Sequence, residues 1–279
     1  MKVSLGRYVP AKSLFHLADP RTKIIWTIVM MVFVLMCRNW IEYTIAGVFI
    51  VGCFIASRIS FKFILQSLRP ILVILIITSL FNFLFYHGAH VAFFIGSKPI
   101  YFESISMSIK TVLRVTMLVV SASLLTYTST PVAITDGLES LMRPLTVLHV
   151  PVHEIALMMS IALRFIPTFA DETDKIIKAQ AARGAEFDSG NVFKKIKSYI
   201  PVLIPLFIAA FRSAEEMSTA MEARCYRGGK GRTRYKVLKF SASDVIITVL
   251  TVIFFTSIIL LHIYIRKDIS VSHIFINNF

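Results

Sequence analysis

The chain has 279 residues, of which 56% are hydrophobic, and a mean hydropathy of +0.72, too apolar for an ordinary soluble domain. It also carries a formal charge of +14. Apolar runs with excess Lys and Arg fit an integral membrane protein with a sizeable cytoplasmic part. Nucleic-acid binding, the other common use of such charge, needs a basic solvent-exposed face, and here the basic residues are spread among apolar helices. Cys37, Cys53 and Cys225 form no Cys-x-x-Cys pair, so neither a disulfide framework nor a thiolate metal site is implied.

The first 23 residues are polar and basic, and no cleavable signal peptide is expected there. Ile24–Met36 is the first apolar run, about 20 Å long as a helix. That is short for a bilayer, so Arg21 and Lys23 are expected to snorkel at one end and Trp40 to sit at the other interface. Ile41–Ser57 follows the turn Cys37-Arg38-Asn39-Trp40 and completes a helical hairpin. Pro70–Tyr86 and Thr111–Thr126 are read as the third and fourth spans, and Val245–Ile265 as the fifth. Val91–Phe102, around Gly96-Ser97-Lys98-Pro99, reads as a small β-hairpin. Lys and Arg crowd before the first span and between the second and third, which places the N-terminus in the cytoplasm and the loop 87–110 outside. The spans are read as free of Asp and Glu, so a proton or ion relay is not expected.

The segment 131–243 holds 16 of the 30 basic and 11 of the 16 acidic residues, yet keeps apolar stripes at Leu157–Phe169 and Val202–Phe211. Three helices are predicted there: about Asp136–Leu148, Val152–Arg183 and Ser198–Arg224. The division expected is therefore 1–130 with four spans, a cytoplasmic coupling domain at 131–243, and a last span with its tail at 244–279.

The latter two helices echo one another weakly. Ile166-Pro167-Thr168-Phe169 and Ile204-Pro205-Leu206-Phe207 each precede an acidic patch and then an ending. One ending is Ala179-Gln180-Ala181-Ala182-Arg183-Gly184; the other is Ala220-Met221-Glu222-Ala223-Arg224-Cys225. In each, Ala, Ala and Arg fall at i, i+3 and i+4, on one side of a helix. Methyl groups let another backbone come close, and one long cation projects from the end. A single Arg-Gly ending is what helix capping alone produces; two copies in one segment favour two plugs for two related soluble sockets.

Elsewhere the chemistry is thin. Gly228-Gly229-Lys230-Gly231-Arg232-Thr233 departs from a phosphate-binding loop and reads as a basic loop. His87 with His90, and His149 with His153, are two-residue pairs that lack a third metal ligand. No catalytic constellation or cofactor site is implied.

The chain resembles the transmembrane T component of energy-coupling factor transporters, the ABC-type importers of vitamins and metal ions. Three stretches carry the likeness: Ser13-Leu14-Phe15-His16-Leu17-Ala18-Asp19-Pro20-Arg21, and the endings at Arg183-Gly184 and Arg224-Cys225. The resemblance implies an all-α integral membrane protein of about five transmembrane helices, with two long cytoplasmic helices ending in Ala-Arg-Gly-type motifs. It implies as partners a heterodimeric pair of ATP-binding-cassette ATPases, a substrate-binding membrane S component and the lipid bilayer, and no nucleic acid. Localisation would be a prokaryotic plasma membrane, and ATP would be hydrolysed by the partners. Ala179, Ala182, Arg183, Gly184, Ala220, Ala223, Arg224 and Cys225 would dock the ATPases; His16, Asp19, Pro20 and Arg21 form the N-terminal family motif. Cys225 departs from the motif's glycine, which puts in doubt the left-handed cap there and points to Gly228 or Gly229 as its replacement. A T component dedicated to one substrate, and a non-transport anchor for ATPases, are the alternatives.

Overall fold

The computed structural model describes residues 8–11, 13–88, 90–95, 98–185, 187, 192–229 and 240–258. They fall into two units, one of 8–130 with 240–258 and one of 131–229.

The first unit holds α1 (Leu14–Leu17), α2 (Pro20–Met36), α3 (Trp40–Ala56), α4 (Phe61–Leu68), α5 (Leu72–Phe85) and α6 (Phe102–Thr128). A last helix, Ala242–Ile258, belongs to it too; it is α10 in chain order. Strands β1 (Val91–Ile95) and β2 (Lys98–Tyr101) pair antiparallel, as the alternation suggested; their turn at 96–97 lies outside the described residues. Helix α6 is the hub, packing against α2, α3, α4 and α5. Met30, Val34, Tyr43, Ala46, Leu124 and Tyr127 form the middle of the core. Helix α10 joins through Phe254, edge-on to Phe33 and stacked on Phe49 with ring centroids 4.0 Å apart. The outward side is apolar as well: Ile28, Val32, Val48, Val51, Ile74 and Ile77 are all exposed. Such a surface is stable only against hydrocarbon or another apolar body.

The hairpin turn appears where the sequence put it, between Met36 and Trp40. The third span begins earlier than Pro70. The helical path runs Phe61–Phe85, and Pro70, which has no N–H to give, falls in a 3₁₀ turn at Arg69–Ile71 joining α4 to α5. The fourth likewise begins at Phe102 rather than Thr111. Beyond Ile258 the fifth span lies outside the described residues.

Two expectations about polar residues fail. Glu42 lies inside the second apolar stretch and is only 2% exposed. Its carboxylate accepts from the Arg38 and Asn39 backbone N–H groups at 2.7 and 3.2 Å, a capping box that starts α3. Lys23 does not snorkel outward: it is 3% exposed, and its Nζ donates to the carbonyls of Thr128 at 3.0 Å and His16 at 3.4 Å.

The second unit holds α7 (Pro131–Met142), a 3₁₀ stretch Arg143–Leu148, α8 (Val152–Ala182) and α9 (Val192–Ala223). The three predicted helices are therefore present, with α9 starting six residues early and continuing through Pro201 and Pro205. His149 at φ 59° makes the left-handed bend before α8. Helix α8 packs on both α7 and α9. Among the described residues, four helices are long and apolar enough to cross a membrane by length and composition: Phe61–Phe85, Phe102–Thr128, Val152–Ala182 and Lys195–Ala223.

Candidate functional site

The two motif endings share one geometry. At the first, the Gly184 N–H donates to the Ala181 carbonyl at 3.0 Å and the Ala185 N–H reaches back to Gln180 at 3.0 Å. At the second, the Cys225 N–H donates to Glu222 at 2.8 Å and the Tyr226 N–H to Met221 at 3.0 Å. These are the paired bonds of a Schellman motif, which closes a helix on a residue in the left-handed region. Gly184 sits at φ 87° and Cys225 at φ 55°. The doubt about Cys225 therefore resolves against the replacement: Cys225 itself takes the left-handed position, and Gly228 (φ 82°) serves a later bend.

Ala179, Ala182, Arg183 and Gly184 are all exposed, as are Ala220, Ala223, Arg224 and Cys225. Among the described residues neither Arg183 nor Arg224 has a carboxylate partner. Each ending thus presents a strip of methyl groups beside a guanidinium with no carboxylate partner among the described residues, while the cap engages the Gln180 and Ala181 carbonyls at one end and the Met221 and Glu222 carbonyls at the other.

Helices α8 and α9 run antiparallel along the grooves they share. Phe165 and Phe169 face Ala210 and Ala214 across one of about 570 Å³; Leu157, Ile161 and Arg164 face Met217, Met221 and Arg224 across another of about 510 Å³. Arg224 thus lies level with the early part of α8. From Arg164 to Arg183 are nineteen residues of the chain, about 28 Å of helical rise. The two endings point to separate places.

The N-terminal motif is a different construction. Asp19 caps α2, its Oδ1 accepting from the Arg21 N–H at 2.9 Å, with Pro20 at the first helical position, where a missing N–H is harmless. The Asp19 N–H in turn donates to Asp244 Oδ1 at 2.7 Å, and Asp244 Oδ2 accepts from the Ser241 N–H at 2.6 Å at the start of α10. His16 bonds Ser13 Oγ through Nδ1 at 2.7 Å and the Val9 carbonyl through Nε2 at 2.8 Å. A carbonyl can only accept, so Nε2 carries the proton and the neutral ring accepts from Ser13 at Nδ1. Burial holds the His16 pKa below its ordinary value, the Lys23 charge adds to that, and the Val9 bond opposes it. The motif is thus a clasp across the starts of two helices. Sequence reading missed Asp244, because a long-range acceptor leaves no local pattern.

Among the described residues no group of three or more His, Cys, Asp or Glu could hold a metal. His153 bonds Glu139 at 3.2 Å and is not joined by His149 in any such group.

An apolar helical bundle with apolar outward faces, joined in sequence to paired helices with exposed capped ends, defines a multi-pass membrane protein. A family model described as cobalt transport protein (CbiQ) matches residues 11–235. The energy-coupling factor transporter transmembrane protein EcfT of Ruminiclostridium cellulolyticum is 52% identical over 93% of this chain and 97% of its own length. The EcfT proteins of Thermosediminibacter oceani and Bacillus subtilis are 47% and 45% identical, over 87% and 86% of this chain and 91% of theirs in each case. The chain belongs to this family: it is the transmembrane component of an energy-coupling factor transporter.

Proposed function

We propose that the chain couples ATP-driven motion of two ATPase subunits to a substrate-binding membrane subunit, for import of a vitamin or metal ion into a bacterial cell. The observation that carries this reading is the pair of matched helix ends, each with exposed alanines and an arginine that has no carboxylate partner among the described residues. A cap that served only to end a helix would not need the same small-residue face twice. In this reading residues 131–243 form a cytoplasmic coupling domain, although α8 and α9 are long enough to span. The central Arg164, with Asp171, Glu172, Asp174, Lys175 and Lys178 in α8, would be costly inside hydrocarbon.

ATP binding draws the two ATPases together. Helix ends seated about 28 Å apart along α8 follow their sockets, and the packed pair α8–α9 carries the movement to the spans. The chain hydrolyses nothing itself; it scaffolds and transmits. Co-purification of the full chain from its native membrane, followed by mass spectrometry, tests this. Two ATPases with one or more small membrane subunits are expected. Recovery of ATPases with no membrane subunit would favour a plain anchor, and recovery of neither would refute the proposal.

A further inference from the structure

The two helix ends are capped alike but are not surrounded alike. At the second, Arg164 from α8 meets Arg224 and Arg227 around one groove of about 510 Å³, with Tyr226 and Gly228 in its wall. All three arginines are exposed, and among the described residues none has a carboxylate partner. Glu154 approaches Gly228 from the start of α8, its carboxylate 3.9 Å from where a Cβ would stand, but it does not line the groove. On α8 the linings of these two grooves run from Leu157 to Phe169, so Arg183, fourteen residues further on, lines neither of them.

Three exposed guanidinia around one groove concentrate positive charge that solvent and salt only partly screen, and a ligand with more than one negative charge is attracted to it. Their planar forks suit carboxylates, which they bind in pairs of parallel hydrogen bonds. We propose that Arg164 acts with Arg224 and Arg227 as a third docking arginine, receiving an acidic segment of the ATPase subunit at the second helix end. The ATPase socket at the second end thereby carries at least two carboxylates. This rests on the coupling function proposed above.

Exposed Cys225 provides the probe. A photo-crosslinking maleimide on Cys225 reports the second end; the same reagent on Ala185→Cys in a Cys225→Ser background reports the first. Both are used in the complete complex purified with its ATPases. Arg164→Gln is expected to lower the Cys225 crosslink about tenfold and leave the residue-185 crosslink unchanged, while Arg164→Lys, which keeps the charge but not the fork, recovers only part of the Cys225 signal. The crosslinked ATPase peptide should carry at least two Asp or Glu. Equal losses at both positions, or no loss at either, overturn the inference while the coupling function stands. Crosslinking of Cys225 to anionic lipid instead of protein also overturns it. No ATPase crosslink from either position in the otherwise native chain would defeat the coupling function itself.

Discussion

The backbone N–H of Asp19 donates to the carboxylate of Asp244 at 2.7 Å across 225 positions of sequence. Both residues are buried, and Asp244 also holds the Ser241 N–H. One carboxylate therefore ties the start of α2 to the start of α10, beside the buried ammonium of Lys23. Asp244→Ala leaves two backbone donors without their acceptor and removes a nearby negative charge. It is expected to destabilise the chain by about 2–4 kcal/mol, with Asp244→Asn costing less because an amide oxygen still accepts. Denaturant titration in detergent micelles measures both.

His16 makes the same region sensitive to acid. Its pKa lies below the ordinary 6.5, chiefly through burial, so the folded state favours the neutral ring. Stability from this group is complete above about pH 6.5 and is lost as the pH falls through the lowered folded value. Melting temperature should therefore drop between pH 6.5 and lower pH, and His16→Gln should flatten that dependence. An unchanged slope in the variant would show that other groups carry it.

How much of this was legible beforehand depended on range. The Ala-x-x-Ala-Arg spacing is a local, helical pattern, and it led directly to the ends of α8 and α9. The Cys37–Trp40 turn and the β-hairpin were equally local. Asp244, the inward turn of Lys23 and the place of Arg164 in a groove depend on tertiary packing that no short window records. Cys225 was misjudged for another reason: propensity favours glycine at a left-handed cap, whereas here two backbone hydrogen bonds hold a cysteine in that conformation.

That cysteine carries a conformational cost which glycine would not. Cys225→Gly should stabilise the second helix end by about 1 kcal/mol, and Gly184→Ala should weaken the first by about the same. Nothing crowds a Cβ at Gly184, so the effect there is of backbone conformation alone. Hydrogen exchange at the Tyr226 and Ala185 amides reads each cap separately, slower in the first variant and faster in the second.

Ala182 and Ala223 are exposed, so Leu at either should leave the isolated chain within about 0.5 kcal/mol of its native stability. In the assembled transporter the same side chain would press on a partner backbone and cost about 1–3 kcal/mol. Yield of the ATPase complex and ATP-driven uptake in proteoliposomes should both fall, with the melting of the free chain unchanged. Normal uptake in both variants would mean that these faces meet no partner.

The most direct test of coupling is attachment itself. Arg183 and Arg224 stand without carboxylate partners among the described residues, at the ends of two identically capped helices. If each pairs with a buried socket carboxylate, truncation to Ala costs on the order of 3–5 kcal/mol, against less than about 1 kcal/mol for a solvent-exposed pair. Pull-down of both ATPases in detergent is expected to weaken with Arg183→Ala, to weaken with Arg224→Ala, and to fail with the two together. Undiminished recovery of both ATPases by the double variant would contradict the docking of these helix ends and leave them as caps alone.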